Sequence, residues 1–454
     1  MKQYHSNKHP LLTRYLLAFA FISYVSISCN NNKNKLITRI SRIDSPQVSW
    51  NVLFKPGTDS LARDAAIKNI ISSIKEYYYK NYDKKNRKDY VLLLNPIIWC
   101  PCDSLLYNIS FSLITASGQS VIGPPPSKGH IAGSGRIVTN ISDNIPITER
   151  NKIHTEDKRS KTILRNLGID SSKILAIIDS GIDTTRFTGE IKNLIWSDQF
   201  ASTIYNFLPF QPLQDFSDKT GEKHGSAVTA IAIKAIEKAS RYPKIMILKA
   251  LNNTNQGSIF SVSCALSYAI QKKANVINLS LGYYGLGDSI LRHYLELCNS
   301  AKPVIEVFAA AGNTTGTHNP LDLCNANSLK HNNILATGQN MFYPACFTTD
   351  FNNLTSVTQL SQPTNPCYYQ NYSNRLVSLG IIDKTNCCAM RVSFNLYEGS
   401  SFVTPVASGL KMLTILRGGN TPTANTIWNS LIDFAPQPNV TIKGKYISYA
   451  PTQP

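Results

Sequence analysis

The sequence predicts an α/β protein, a parallel sheet with helices on both faces, preceded by a small α+β unit. Three observations carry this. Past about residue 160, the apolar runs ILAII (174–178), KIMILKA (244–250), NVINLSL (275–281), PVIEVFAAAG (303–312) and NILATGQ (333–339) read as strands. They lack polar alternation, as strands covered on both faces do. Between them, 225–240, 258–273 and 288–301 read as helices, and strands alternating with helices point to a parallel sheet. Ahead of these, residues 46–122 mix strand and helix signals within a short span. The composition agrees: 454 residues with 43% hydrophobic and 16% charged suit two or three folded domains. Glycine and proline usage (24 and 23) excludes collagen-like chains, and no fixed repeat period is present.

In chain order, Lys2, Lys8 and Arg14 stand in a segment without acids, followed by the uncharged run YLLAFAFISYVSIS, Tyr15 to Ser28. That run is shorter than the roughly 20 residues a membrane-spanning helix needs, and it reads as the apolar part of a signal peptide over residues 1–29. Cys29 closes it in the string SISC, which resembles the lipobox of bacterial lipoproteins, although Ser26 and Ile27 depart from the usual pattern. The resemblance implies a lipid attached at Cys29 and a place in the bacterial cell envelope. A plain secretory peptide and an extracellular product is the alternative. Polar NNNKNK opens a flexible tether, 30–45.

The α+β unit starts with the strand-like QVSWNVLF and the turn KPGT. A helical stretch follows, SLARDAAIKNIISSIKEYYY, with Leu61, Ala65, Ile67, Ile70, Ile71 and Ile74 on one stripe, and then the strand DYVLLLNPII. GPPPSKGH (123–130) interrupts regular structure and opens a linker or processing segment, 123–160.

The net charge of +18 invites a nucleic-acid reading, but thirteen of those charges lie before residue 179 without any nucleic-acid-binding signature. We read them as a solvated lysine-rich surface and expect no nucleic-acid partner. Ten cysteines permit disulfides in an exported chain. Cys100 and Cys102, and likewise Cys387 and Cys388, are too close in sequence for an ordinary bridge. Neither CPC nor CC has zinc-ligand spacing, so no metal and no cofactor are expected. Setting Cys29 aside leaves an odd number, hence at least one free or intermolecular thiol. Cys264 and Cys298, on helical stretches, are the expected buried thiols.

Chemistry collects at the carboxyl ends of strands in such sheets. Asp179, in DSGID, follows the strand ILAII, with Gly181 allowing a tight turn. His224 opens the helix HGSAVTAIA, Asn313 ends VFAAAGN, and Ser401, in GSSFVTPVASG, stands at a helix start where exposed N–H groups favour an oxyanion. Pro405 is expected in that helix's first turn.

In this order the four strings resemble the subtilisin-like serine proteases over about residues 160–450, joined by INLSLG (277–282), FYPACF (342–347) and YSN (372–374). The resemblance implies a catalytic domain over 161–454. Ser401 would be the nucleophile, His224 the general base, Asp179 the residue that fixes the imidazole, and Asn313 the oxyanion donor. It also implies polypeptide substrates lying extended beside Ser280, Leu281 and Gly282. VLFKPGTDSLARDAAI is similar to the start of the propeptides that precede many such enzymes, which implies an N-terminal domain acting as intramolecular inhibitor.

Departures are local. Ala227 replaces a second histidine, Ala230 a glycine that raises the question of packing near His224, and Val406 a common histidine. The stretch from Asn313 to Ser401 is longer than usual and holds five cysteines, as a surface loop or as a rim to the cleft. Two other readings make different demands on the sequence. A catalytically inactive surface-binding module predicts a broken Asp-His-Asn-Ser set, and this set is intact. An α/β-hydrolase esterase would place its acid and histidine after the serine, and here both precede it.

Overall fold

The computed structural model describes residues 48–78, 90–115, 120–121, 138–143, 146–148, 152–155, 161–162, 164–188, 191–198, 203–313, 332–333, 341–362, 365–367, 370–373, 375–383, 390–392, 395–418, 432–433 and 445–449. The signal-peptide, lipobox and tether expectations, and the GPPPSKGH segment, lie outside them. Among the described residues no helix is long and apolar enough to cross a membrane.

The N-terminal unit is a sheet with a helix on one face. Its strands are β1 (Val48–Phe54), β2 (Tyr90–Leu94), β3 (Ile98–Cys100), β4 (Asp103–Thr115), the short β5 (Ser120–Val121) and β6 (Val138–Asp143). The order β2-β4-β1-β6, with β3 and β5 also on β4, is antiparallel throughout. Thus the sheet takes an edge strand from the stretch expected as linker. Helix α1 (Ser60–Tyr78) buries Ala66, Ile67, Ile70, Ile74 and Tyr78. This corrects the expected stripe at its start: Leu61 is 80% exposed and Ala65 is exposed, because the helix meets the sheet only from its second turn. Alternation along β1 divides the work of the sheet. Trp50, Val52 and Phe54 pack under α1 with Ile109 and Phe111, while Leu53 and Leu106 join the core of the second unit.

That second unit is built on seven parallel strands: β7 (Gly168–Asp179), β8 (Arg241–Lys249), β9 (Val276–Leu279), β10 (Glu306–Ala310), β11 (Leu354–Gln362), β12 (Leu379–Asp383) and β14 (Lys445–Tyr449). Their order is β8-β7-β9-β10-β11-β12-β14, with the two-residue β13 (Ile432–Asp433) antiparallel at the end. Helices α2 (His224–Ile236) and α5 (Ser400–Leu416) cover one face, and α3 (Ile259–Gln271) and α4 (Ser289–Ser300) the other. Period-two alternation explains the unbroken apolar runs. Leu175 and Ile177 point to the α2/α5 side and Ala176 and Ile178 to the α3/α4 side, all buried. The expected fold class holds, and the three expected helices are present within a few residues. Of the expected strands, four are present; 334–340 lie outside the described residues, and β11, which the sequence reading did not expect, pairs with β10 on the side away from β9.

Helices α2 and α5 approach closely at Gly409, where a Cβ would meet the Ala232 carbonyl oxygen at 2.6 Å and the Ala235 Cβ at 2.7 Å. Ala230 is accommodated in the same packing with its side chain buried. Gly409→Val should therefore cost about 1–3 kcal/mol of unfolding free energy by overpacking, read by denaturant titration.

Candidate active site

Two helix starts and three strand ends converge at the carboxyl edge of the sheet. Asp179 is the last residue of β7 and His224 the first of α2, and both side chains are buried. Asp179 Oδ1 lies 2.7 Å from His224 Nδ1. A carboxylate only accepts, so Nδ1 carries the proton and Nε2 is left as the basic nitrogen. The same Oδ1 accepts the Ser180 N–H at 2.7 Å.

Two glycines make this approach possible. Gly181 has φ +105°, and a Cβ there would meet the Phe216 carbonyl oxygen at 2.4 Å; one on Gly225 would meet the Gly181 carbonyl oxygen at 2.3 Å and Asp179 Oδ1 at 3.1 Å. Asp218, also buried, braces the surroundings. Its Oδ1 accepts from Ser180 Oγ (3.1 Å), Thr220 N (3.2 Å) and Thr220 Oγ1 (2.7 Å), and its Oδ2 from Ser226 N (3.0 Å) and Ser226 Oγ (2.7 Å). Ser180 Oγ in turn accepts the Gly225 N–H at 2.9 Å. The turn after β7 and the first turn of α2 thus share one buried carboxylate. Beside them sits Glu222, whose carboxyl is pushed up by burial, against the pull of His224 and with the push of the Asp179 and Asp218 charges.

Helix α5 starts at Ser400 behind Gly399, whose φ of +140° turns the chain out of the preceding strand. Gly399 has no side chain to cap the helix, and Asn313 does so from the end of β10: its Oδ1 accepts from Ser400 N (2.9 Å) and Ser400 Oγ (3.2 Å). Ser400 Oγ also accepts the Gly312 N–H at 2.9 Å. Using the oxygen end in this way orients the Asn313 amide, with Nδ2 as its donor end. Ser401 follows, buried, and the Phe402 ring packs on the His224 imidazole with centroids 5.1 Å apart.

Pro405 lies in the second turn of α5 rather than the first, because the helix begins at Ser400. Having no N–H, it cannot bond the Ser401 carbonyl four residues back. Ser280 Oγ does so instead, at 2.7 Å, while accepting from Asn278 Nδ2 at 2.9 Å. Asn278 Oδ1 accepts from Ser408 Oγ at 3.1 Å, closing a buried chain from β9 back into α5. The Ser280 and Leu281 side chains are wholly buried, and Gly282 lies against the Phe342 ring.

The sequence reading did not pick out Ser180, Asp218 or Ser400, small polar residues that look like turn formers in sequence. It also missed an edge. Gln256–Ser258 pairs antiparallel with Pro146–Thr148, an extended piece of the same chain, with Thr148 opposite Gln256 and Pro146 opposite Ser258. No group of three or more His, Cys, Asp or Glu suited to a metal occurs among the described residues. Cys100, Cys102, Cys264, Cys298 and Cys346 are free thiols, with Cys264 and Cys298 buried as expected, and Cys367 is disulfide-bonded.

The buried Asp179–His224 pair and the Phe402 ring on the imidazole bring the start of α2 against the start of α5, where Ser401 stands and Asn313 caps the helix. The Subtilase family model matches residues 170–432, more than half the chain, and the protein belongs to that family. It is 27% identical over 215 residues to Subtilisin-like protease 3 of Plasmodium falciparum (isolate 3D7), covering 44% of this chain and 26% of that protein. The chain therefore matches about a quarter of that relative's length. In fold it is similar to the epidermin leader peptide processing serine protease of Staphylococcus aureus. Against a serine-to-alanine mutant of that protein the TM-score is 0.56 at 15% identity, covering 89% of this chain and 98% of that one. Against a second structure of that protease the TM-score is 0.52 at 15% identity, covering 89% and 97%. The chain thus carries a Subtilase-family domain.

Ser280→Ala should leave the buried Ser401 carbonyl without its donor and cost about 1–3 kcal/mol of stability, read by denaturant titration.

Proposed function

We propose that this protein is an exported serine endopeptidase that cuts extended polypeptides through an acyl-enzyme on Ser401, and that its N-terminal unit is a propeptide. The observation that carries the reading is the buried Asp179–His224 contact at 2.7 Å, in the α2 helix packed against the helix that begins at Ser400.

A serine hydroxyl is a weak nucleophile at neutral pH and needs a base. His224 Nε2 takes the Ser401 proton as Oγ attacks the scissile carbonyl carbon. Asp179 holds Nδ1–H and stabilises the imidazolium that forms. The tetrahedral oxygen takes hydrogen bonds from Asn313 Nδ2 and the Ser401 N–H, where the α5 dipole also favours negative charge. His224 then protonates the leaving amine, and water repeats the sequence on the acyl-enzyme. No metal or cofactor has a part in these steps.

Pairing of Pro146–Thr148 on Gln256–Ser258 supports a cleft that takes peptide backbone by strand addition, a mode that asks little of side chains. It also supports the N-terminal unit as the first occupant, since this segment leads from that unit into the protease domain. In this reading Ser280, Leu281 and Gly282 lie beside the bound peptide, as the family resemblance implies. Export follows from the signal-like residues 1–29, with Cys29 as the candidate lipid anchor in a bacterial cell envelope.

The test is the intact mass of the chain from residue 30 onward, as wild type and as Ser401→Ala, after expression into the periplasm. Wild type should lose an N-terminal piece through a cut between about residues 130 and 170, and Ser401→Ala should stay whole. If both stay whole and wild type cleaves no added peptide, an inactive binding module becomes the better reading. On peptide substrates Asp179→Asn should lower kcat by about 10⁴. Asn313→Ala should lower it by about 10²–10³, the typical loss for one oxyanion donor.

A further inference from the structure

The N-terminal unit docks on α3 and α4 through the turn between β3 and β4. Asp103 Oδ2 accepts from Tyr294 OH at 2.6 Å and Ser267 Oγ at 3.3 Å, and Gln271 Nε2 donates to the Cys102 carbonyl at 2.7 Å. Inside this seam three thiols meet. Cys100 Sγ is 3.2 Å from Cys102 Sγ, Cys102 Sγ donates to the Cys264 carbonyl at 3.3 Å, and Cys100 and Cys264 are buried in the same core cluster. Cys100 and Cys264 are buried and Cys102 is partly exposed. Two come from the N-terminal unit and one from α3.

We propose that Cys100 and Cys264 are a dithiol site at which a small-molecule disulfide couples the two units covalently, with Cys102 as the entry thiol. Cys102 attacks the reagent RSSR, forming a mixed disulfide and releasing RSH. Cys100 attacks the Cys102 sulfur and expels the second RSH, giving a Cys100–Cys102 disulfide. Cys264 then attacks the Cys100 sulfur, forming Cys100–Cys264 and returning Cys102 to the thiol. Overall two protein thiols give up two protons and two electrons, and RSSR takes them as two RSH. The intermediate closes a very small ring across one residue, which makes it labile toward the third thiol. All three thiols are pushed above their ordinary value, Cys100 and Cys264 chiefly by burial and Cys102 by Cys100 and burial, so each rests protonated, and Cys102 is the entry point because it alone of the three is partly exposed. The disulfide at Cys367 puts an oxidised cysteine in the same chain.

Such a bond keeps the N-terminal unit on the protease domain after the connecting segment is cut, until a reductant releases it. That consequence rests on the propeptide reading, whereas the bond itself does not.

The test uses the full Ser401→Ala chain, so its outcome is independent of proteolysis. The reduced chain is treated natively with oxidised glutathione, alkylated, unfolded, alkylated again, digested and mapped without reduction. The expected result is one species joining the Cys100 and Cys264 peptides, lost on adding dithiothreitol and missing in Cys264→Ser. Glutathione at Cys102 alone, a Cys100–Cys102 loop alone, or Cys264 fully alkylated would each overturn the proposal. The wild-type cysteine set is read directly, so the conclusion does not depend on the variant folding.

Discussion

The contact between Asp179 and His224 joins the end of a central strand to the start of a helix, and much of the surrounding sequence is constrained by it. A buried carboxylate is costly unless hydrogen bonds replace its water. Asp179 receives the imidazole and a backbone N–H, and the second buried carboxylate, Asp218, receives five donors from the turn after β7, the loop before α2 and the first turn of α2. The two turns can come that close only because Gly181 and Gly225 lack a Cβ. On the other side, Asn313 caps α5 and Ser280 replaces the donor that Pro405 removes, which fixes the backbone on both sides of Ser401. The site is held mainly by small polar residues bonding backbone groups.

This architecture also explains what could be read in the sequence. Asp179, His224, Asn313 and Ser401 each stand in a short string of glycines and small residues beside an apolar run, so their places at strand ends and helix starts were legible. Their supports were not, because Ser180, Ser400 and Asp218 acquire partners only across the fold. Strand β11 was missed for a related reason. Ser356, Thr358 and Gln359 are buried there, and the hydroxyls of the first two donate to the Leu376 and Asn371 carbonyls. A strand satisfied by distant carbonyls does not show in hydropathy. In α1 the stripe was legible, but Leu61 lay beyond the sheet edge, which the periodicity of a lone helix does not reveal.

The N-terminal unit is integral to the same construction. One face of its sheet carries α1, and the other contributes Leu53, Cys100 and Leu106 to the core shared with α3 and α4. Tyr294 and Asp103 meet at this seam, where burial and the neighbouring carboxylate push the tyrosine hydroxyl well above its ordinary range. A docked sheet, a polar clasp and the strand Pro146–Thr148 on the Gln256–Ser258 edge hold the unit by three kinds of contact.

The most direct test of the central claim is labelling with a fluorophosphonate followed by peptide mapping of the adduct, on wild type and on Asp179→Asn. One adduct on Ser401 in wild type, with labelling strongly slowed in Asp179→Asn, is the expected result. An adduct at another residue, no adduct, or equal labelling of both proteins would contradict it.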